Sequence, residues 1–337
     1  MAHPTRWGIC GAGNMANELC VCLESLPSEH KIVAVAARDK SKAETFAKCF
    51  SIPLAYGSYD ELATNPEIDA VYIATVPYNH VELSLRFINA GKAVLCEKPM
   101  SLSLEGCKRV LQAAREKGVL FVEGFWSLHF PLYKFLREKL DSGVIGEVVM
   151  VEAALCASFG EDRYLGSLEL GGGALKNMGC YPIMIADYLF PNGPPETISA
   201  VGNVKEGGVD RSGVICIKYP GDKLASLTFS NQTHFGFNRM TIRGTKGLIM
   251  IPDFFWSPTK IILPDNEEKT FELPKVNHPE KFRYFCGEGL TYQIQNFREC
   301  LLKGLVESPN VTHKTSESIS YITQEVLNQL GVKFTAP

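Results

Sequence analysis

Apolar and polar residues follow two different patterns along the chain, and the first covers residues 1–125. Short apolar runs are followed there by longer stretches with apolar residues at helical spacing, as in residues 14–26. Strands that alternate with helices of about 10 to 15 residues are typical of a parallel sheet covered on both faces. We therefore predict a doubly wound α/β domain with strands at 6–10, 31–37, 70–74, 93–96 and 119–123 and helices at 14–26, 41–49, 79–90 and 103–117.

The helix at 41–49 is predicted to begin with Ser41 as its cap, because a serine side chain can accept a hydrogen bond from a first-turn amide.

Beyond residue 125 the apolar runs are joined by Gly, Pro and Asn turns. Consecutive runs of this kind favour hairpins, so we predict a large, predominantly antiparallel open sheet with helices on one face. A chain of 337 residues also suits two domains of about 100 to 200 residues each. The second domain, 126–337, is then α+β, with strands at 147–157, 198–204, 213–219, 224–231, 239–242 and 248–251 and helical stretches at 131–140, 173–190, 292–305 and 316–330.

A glycine-rich turn separates the first predicted strand from the first helix. It reads Gly11-Ala12-Gly13-Asn14-Met15-Ala16, which has the form G-x-G-x-x-A. In such a turn the first glycine permits a sharp bend, the second lets backbone approach a pyrophosphate, and the small third residue keeps helix and strand close. The phosphates meet the free amides of the helix N-terminus. The sequence therefore predicts a Rossmann dinucleotide-binding domain at 1–125, with Gly11, Gly13, Asn14, Met15 and Ala16 as cofactor-binding residues.

The end of the second strand distinguishes the two nicotinamide cofactors. An acidic residue there would accept hydrogen bonds from the ribose 2′-hydroxyl of NAD, but this strand ends at Ala37 and is followed by Arg38, with Lys42 four residues beyond. Arg38 can make charge-assisted bonds to the 2′-phosphate of NADP. We favour NADP over NAD; the alternative is that Arg38 is solvated and Asp39 is the ribose acceptor for NAD.

Charge and hydropathy exclude several classes of partner. The net charge of −3 provides no general attraction to nucleic acid or anionic lipid. No apolar run approaches the roughly 20 residues needed to span a bilayer, and the first residues lack the apolar stretch of a signal peptide. We expect a cytoplasmic protein that acts on a small molecule, without nucleic-acid or membrane partners.

The cysteines do not indicate a disulfide framework. There are eleven, an odd number, and Cys10, Cys96 and Cys216 lie in apolar, strand-like runs. This pattern favours buried free thiols in a reducing compartment. Cys20 and Cys22 are separated by one residue, whereas zinc and redox pairs typically have two between them. We expect no metal site.

A second group of residues carries a resemblance to a known family. Cys96-Glu97-Lys98-Pro99 closes a predicted strand at the carboxyl edge of the parallel sheet, and Gly171-Gly172-Gly173-Ala174-Leu175 and Gly179-Cys180-Tyr181 occur later. Together with the glycine turn they resemble the glucose-fructose oxidoreductase and inositol dehydrogenase superfamily, and within it the dimeric dihydrodiol dehydrogenases. Similar stretches lie at 33–39, 55–59, 90–100 and 244–247, so the resemblance extends over nearly the whole chain.

The resemblance implies NADP-dependent hydride transfer to or from a carbon bearing a hydroxyl or carbonyl group, in a trans-dihydrodiol or an aldose such as D-xylose. It implies that Tyr181 exchanges the hydroxyl proton and that Lys98 supports it. A phenol is a poor base at neutral pH, and a nearby ammonium stabilises its phenolate. The resemblance also implies a homodimer built on the open sheet of the second domain.

Further site residues are predicted from their positions. Glu97 adjoins Lys98, and Thr75 and His80 flank the turn after the predicted strand at 70–74, where the chain should pass the nicotinamide half of the cofactor. His80 can equally cap the following helix. Trp126 begins the second domain and can form an apolar wall of the substrate pocket or belong to a hinge core.

Two positions depart from the pattern of the resembling enzymes. Asn177 stands four residues before Tyr181, where aspartate is usual, and it follows Lys176, where an apolar residue is usual. Leu128 stands where arginine is common. Asparagine can hydrogen-bond but carries no charge, so we expect these changes to affect the substrate pocket more than the cofactor site. A reductase of the same superfamily, or a cofactor-binding regulator that has lost catalysis, remains an alternative, since this architecture also occurs in a transcriptional repressor of galactose genes.

Overall fold

The computed structural model of the chain describes residues 3–158, 164–234, 236 and 238–334. The segment 160–163, interpreted from its sequence as a solvated loop, lies outside the described residues. The chain divides into two compact units. The first contains Met1–Ser101, Glu105–His129 and Leu273–His313, and the second contains Leu102–Leu104, Phe130–Glu272 and Lys314–Pro337. This division differs from the proposed domains 1–125 and 126–337 mainly because residues 273–313 join the first unit.

The first unit is built on a parallel sheet of six strands in the order β3-β2-β1-β4-β5-β6. This order confirms the predicted doubly wound fold. Strands β4 and β5 are apolar and buried throughout, and β1 is buried except at Arg6, as expected for a sheet covered on both faces. The elements are β1 (Thr5–Cys10), α1 (Asn14–Glu24), β2 (His30–Ala36), α2 (Lys40–Cys49), β3 (Leu54–Tyr56), α3 (Tyr59–Thr64), β4 (Ala70–Ile73), α4 (His80–Asn89), β5 (Ala93–Cys96), α5 (Leu104–Lys117) and β6 (Phe121–Glu123).

The start of α2 corrects the predicted cap. The N-cap is Asp39, whose Oδ1 accepts hydrogen bonds from the Ser41 amide at 3.0 Å and from the Ser41 hydroxyl at 2.7 Å. Ser41 therefore lies inside the helix and donates to the cap. An aspartate is as effective a cap as serine, and here it comes two residues earlier.

The second unit contains a sheet of eight strands in the order β14-β13-β12-β11-β7-β10-β9-β8. Neighbouring strands are antiparallel except β7 and β10, which pair in parallel. The predominantly antiparallel prediction is confirmed. The elements are α6 (Pro131–Asp141), β7 (Val148–Cys156), α7 (Cys180–Leu189), β8 (Thr197–Val204), β9 (Asp210–Tyr219), β10 (Lys223–Ser230), β11 (Met240–Gly244), β12 (Leu248–Ile251), β13 (Lys260–Ile262) and β14 (Glu268–Thr270).

Two further helices, α8 (Leu290–Leu302) and α9 (His313–Leu330), complete the chain. Helix α8 belongs to the first unit, where the Phe297 ring packs on Trp7 of β1 with ring centroids 5.0 Å apart. Arg298 also donates to the Thr5 hydroxyl at 2.6 Å. These contacts explain why residues 273–313 lie with the first unit.

One face of the second unit's sheet is open. Along β7, Val151, Ala153 and Leu155 are buried, while the residues between them are partly exposed. We call the partly exposed side the open face. The register from β7 through β10 and β9 to β8 places Val214 and Cys216 of β9 and Val201 of β8 on this face. Cys216 is exposed there, so the prediction that its thiol is buried is wrong; an apolar run can alternate between the two faces of a sheet.

Candidate functional site

Several residues predicted for the cofactor or the substrate lie at one edge of the parallel sheet. Gly11 follows β1, Arg38 follows β2, Thr75 follows β4, Lys98 follows β5 and Trp126 follows β6. The carboxyl edge of a doubly wound sheet is where its ligands bind. The structure thus brings these residues to the edge that the sequence indicated.

The glycine turn has the shape required for a dinucleotide. Gly11 has a φ of +106°, and a Cβ there would lie 2.5 Å from the Ala74 carbonyl oxygen, so only glycine fits. Gly13 is exposed and is the N-cap of α1, with no side chain capping the helix and no acidic residue in its first turn. The Gly11 amide donates to the Ala36 carbonyl oxygen at 2.9 Å, so it is the amides of the first turn of α1 that are left for an anion. Asn14 is exposed, Met15 is partly exposed, and Ala16 is buried against the sheet.

The end of β2 presents two cations to solvent. Arg38 and Lys42 are both exposed. Asp39, the alternative acceptor for an NAD ribose, is the cap of α2, and its hydrogen bonds from Ser41 hold the pKa of its carboxyl below the ordinary value. Asp39 is thus engaged in the cap of α2.

His80 supports the turn that carries Lys98. The His80 ring is 1% exposed, with Nδ1 2.8 Å from the Pro99 carbonyl oxygen and Nε2 3.0 Å from the Thr75 carbonyl oxygen. Burial lowers the pKa of His80, whereas its contacts with backbone carbonyl groups raise it. The helix begins at His80, whose ring points to these carbonyl groups rather than capping α4. His80 thus links the turns after β4 and β5.

A buried carboxyl group lies directly before Lys98. Glu97 is 6% exposed, accepts a hydrogen bond from the Tyr72 hydroxyl, and has a pKa raised by burial. Glu123, at the end of β6, accepts a hydrogen bond from the Met100 amide at 2.9 Å. Lys98 itself is partly exposed at this edge. Tyr72 and Glu123 hold the segment around Lys98, and sequence reasoning missed both because they lie inside apolar strands.

Tyr181 lies at the start of α7 in the second unit and is 8% exposed. A π-helical turn, Leu175–Gly179, precedes α7, and Asn177 lies within it, partly exposed. Pro182 has no amide hydrogen, and in a regular helix its ring would clash with the carbonyl group of Met178. The wider turn relieves this conflict, and π turns are frequent at functional sites.

A buried aspartate anchors that turn. Asp210, fully buried at the start of β9, accepts a hydrogen bond from the Leu175 amide at 2.6 Å through Oδ2. Burial raises the pKa of Asp210, while the amides and the charge of Lys176 lower it. Lys176 is 3% exposed, with Nζ 5.1 Å from the centre of the Phe334 ring. Lys176, which stands where the resembling enzymes usually have an apolar residue, is therefore a buried cation that favours the ionised form of Asp210. The local sequence did not indicate this role.

Two further residues lie near the end of the segment Glu105–His129 of the first unit. His129 is buried, its pKa lowered to about 3 by burial, and its Nδ1 lies 3.2 Å from the Asn310 amide nitrogen. Trp126 is partly exposed and belongs to the first unit, not to the start of the second. Across the described residues no group of three or more His, Cys, Asp or Glu side chains could hold a metal ion. Within the same residues, no helix is long and apolar enough to cross a membrane.

Two family models match the chain. One, described as an oxidoreductase family with an NAD-binding Rossmann fold, matches residues 5–125, and the other, described as the GFO/IDH/MocA C-terminal domain, matches residues 133–250. The fold and the site define an oxidoreductase with an NAD(P)-binding Rossmann domain. The chain belongs to the GFO/IDH/MocA oxidoreductase family, which confirms the resemblance seen in the sequence.

Individual relatives cover nearly all of the chain. A trans-1,2-dihydrobenzene-1,2-diol dehydrogenase of Xenopus laevis is 40% identical over 98% of this chain and 99% of its own. The enzyme of the same name from Mus musculus is 39% identical over 98% of each chain. A solved 3-ketoreductase from Actinomadura kijaniata, in complex with NADP and TDP-benzene, is 26% identical with a TM-score of 0.79 over 95% of this chain and 96% of that one. The full-length likeness to dehydrogenases identifies an oxidoreductase acting on CH–OH groups.

Proposed function

We propose that the protein is an NADP-dependent dehydrogenase whose substrate is a trans-dihydrodiol or an aldose such as D-xylose. The names of its full-length relatives support the dihydrodiol, and the NADP in the related 3-ketoreductase supports the cofactor. Exposed Arg38 and Lys42, together with the engagement of Asp39 in the cap of α2, favour NADP over NAD.

The cofactor-binding residues in this proposal are those at the edge of the parallel sheet. Gly11 and Gly13 would leave space for the pyrophosphate, and the free amides of the first turn of α1 would bind it. When bound, the nicotinamide would accept or supply the hydride. His80 acts through the turn that carries Lys98, since its ring binds backbone carbonyl groups. The remaining proposed cofactor contacts are Asn14, Met15, Ala16, Arg38, Lys42, Thr75, Glu97 and Lys98.

Tyr181 and Lys98 are the proposed catalytic residues. Tyr181 would take the proton from the substrate hydroxyl in oxidation and return it in reduction. The ammonium group of Lys98 would favour the phenolate form of Tyr181 by its charge. Trp126 and Asn177 are the proposed neighbours of the substrate. The main observation that supports the proposal is the position of Tyr181. It is buried at the start of α7, directly after a π turn whose Leu175 amide donates to Asp210.

The test is turnover of a panel of dihydrodiols and aldoses with NADP, followed by absorbance of the reduced cofactor. Replacing Tyr181→Phe should lower kcat by at least about a hundredfold while NADPH affinity stays unchanged, because only the proton-exchanging hydroxyl is removed. The matched control is Tyr188→Phe, on the same helix, whose hydroxyl donates to the Tyr133 carbonyl oxygen at 2.7 Å. Turnover that survives Tyr181→Phe would remove this mechanism and leave the enzyme class.

A cofactor-binding regulator without catalysis is the second candidate, favoured by Asn177 and Lys176. Asn177 removes the negative charge usual at that position, and Lys176 adds a buried cation beside it. NADPH binding without turnover of any panel member in either direction would support the regulator. Turnover gained by Asn177→Asp would show that the lost charge limits the rate, and turnover only with carbonyl substrates would indicate a reductase.

We also propose a homodimer that uses the open face of the second unit's sheet. Val201 is 73% exposed there, Leu224 is 42% exposed and Val214 is 41% exposed. Apolar side chains side by side on a sheet face are typical of a surface that binds another protein. All eleven cysteines are free, which supports the proposed reducing, cytoplasmic location.

A further inference from the structure

A segment far along the chain lies against the helix of the glycine turn. We call residues 277–287 the strap; it belongs to the first unit and follows α1 along its length. Near the end of α1 the Asn277 amide donates to the Ser25 hydroxyl at 2.9 Å, and Lys281 Nζ lies 2.9 Å from Glu24 Oε2. Closer to the start of α1, the Asn17 side chain donates to the Lys281 carbonyl oxygen at 2.9 Å. The strap therefore has a fixed register on α1.

A buried glutamate fixes the part of the strap nearest the glycine turn. Glu18, on α1, is 1% exposed. Its Oε1 accepts a hydrogen bond from the Arg283 amide at 2.9 Å, and its Oε2 accepts one from the Tyr284 amide at 3.3 Å. A carboxylate that receives two backbone amides holds that backbone firmly. Arg283 and Tyr284 are thus positioned by their main chain, which leaves their side chains to project toward the start of α1.

Both side chains reach Asn14, the first residue of α1. The Arg283 guanidinium donates to Asn14 Oδ1, and the Asn14 amide donates to the Tyr284 hydroxyl at 3.1 Å. Arg283 is exposed and lies at a helix N-terminus that carries no acidic residue in its first turn. A cation beside the positive end of a helix dipole is unfavourable unless an anion lies close to both.

We propose that Arg283 is a phosphate-binding residue that adds a charged side chain to the backbone amides of the glycine turn. The inference rests on the proposed cofactor and deepens it: the ligand group is the pyrophosphate, which NADP and NAD share. Guanidinium groups bind phosphate oxygens through two parallel hydrogen bonds. Asn14 holds the Arg283 side chain at the turn, so little side-chain freedom is lost on binding.

The test is calorimetric titration of NADPH and NADH into the full chain and its variants. Arg283→Ala should weaken both cofactors equally, by about tenfold, because a hydrogen-bonded charge to the shared pyrophosphate is lost. Arg283→Gln should weaken them similarly, since it keeps a donor for Asn14 but removes the charge. Arg38→Ala is the comparator and should weaken NADPH alone. Lys275→Ala is the matched control, because it removes the same charge just before the strap, and should change neither.

The outcomes separate the two proposals. If the unaltered protein binds neither cofactor, the proposed function fails and this inference fails with it. If the unaltered protein binds NADPH and both Arg283 variants bind it equally well, the inference alone is overturned. An equal loss in Lys275→Ala would also overturn it, because the effect would then come from overall charge. Thermal unfolding midpoints that match the unaltered protein confirm that the variants are folded.

Discussion

At the scale of single residues, the stability of the first unit depends on a buried histidine, His30, whose pKa is lowered by burial. Trp7 Nε1 donates to His30 Nδ1 at 3.0 Å, so the proton of the neutral His30 ring lies on Nε2. His30 is 3% exposed, and burial lowers its pKa to about 4. Protonation of His30 therefore opposes folding.

The pH dependence of stability follows from this shift. Below its ordinary pKa of 6.5, His30 takes up a proton in the unfolded chain but not in the fold. The unfolding free energy should therefore fall as pH drops from 6.5 toward 4, by about 2 kcal/mol at pH 5 from this group. His30→Asn keeps an acceptor for Trp7 and does not titrate. In urea unfolding, the loss of unfolding free energy between pH 7.5 and pH 5 should therefore be about 2 kcal/mol smaller in this variant than in the unaltered protein. His278→Asn, at an exposed histidine, is the control; the same flattening there would contradict the assignment.

The roles of residues were predictable from the sequence where the interacting groups are close together in the chain. The spacing of Gly11 and Gly13 in front of a helix was enough to identify the turn, and Arg38 follows its strand directly. Asp210 and Arg283 act on residues 35 and 269 positions away. No local pattern connects positions so far apart, so only the fold shows these contacts. Asp39 was considered only as a ribose acceptor, because its role as a cap depends on where α2 begins.

At the scale of elements, the long periodic helices and strands and the short buried strands β4, β5 and β6 were predicted closely, whereas several other short elements were missed. Strands β3, β13 and β14 have three residues each, which is too short to show a period of two. The π turn before α7 was predicted only as part of a helical stretch. Its width depends on Pro182 and on Asp210, one inside the stretch and one in a strand.

The π turn before α7 also depends on Gly173, because a side chain at this position would meet Asp210. Gly173 has a φ of +122°, and a Cβ there would lie 2.3 Å from Asp210 Oδ1. Gly173→Ala should therefore displace Asp210 and loosen the turn, in addition to the backbone strain of about 1 to 2 kcal/mol that any such alanine adds. Gly207→Ala is the matched control, because Gly207 has a φ of +98° with open space around it.

Denaturant unfolding and turnover measure the difference between the two glycine variants. We expect Gly207→Ala to lose only the strain energy and keep its activity. Gly173→Ala should lose more unfolding free energy and have a lower kcat, with NADPH affinity unchanged. Equal behaviour of the two variants would show that Asp210 does not hold the turn.

At the scale of the whole molecule, the open face predicts the state of assembly. Val201→Glu places a charge directly opposite Val214, so a dimer built on this face should dissociate. Sedimentation velocity should show a dimer for the unaltered protein and a monomer for the variant. Val144→Glu is the control, since Val144 is 37% exposed outside the sheet. A dimer that survives Val201→Glu would place the interface elsewhere.

Thiol labelling gives an independent readout of the same interface. Cys216 lies exposed on the open face, whereas Cys49 is exposed at the end of α2. In a dimer through the open face, Cys216 should react with a maleimide more slowly than Cys49. In Val201→Glu the two thiols should react at similar rates.

The number of sheets and their strand patterns were predictable because they follow from hydropathy, but the division of the chain was not. Residues 273–313 look like a continuation of the second domain, because nothing in their sequence shows that they return to the first. Their place depends on contacts such as Phe297 with Trp7, which are separated by most of the chain.

The return of residues 273–313 to the first unit has a consequence for folding during synthesis. A ribosome makes Trp7 and β1 almost first, yet the Phe297 ring that packs on Trp7 emerges only after the whole eight-stranded sheet has been translated. The nascent nucleotide-binding unit must therefore wait with part of its apolar surface uncovered. Helix α8 covers this surface only after the strands of the second unit have been translated.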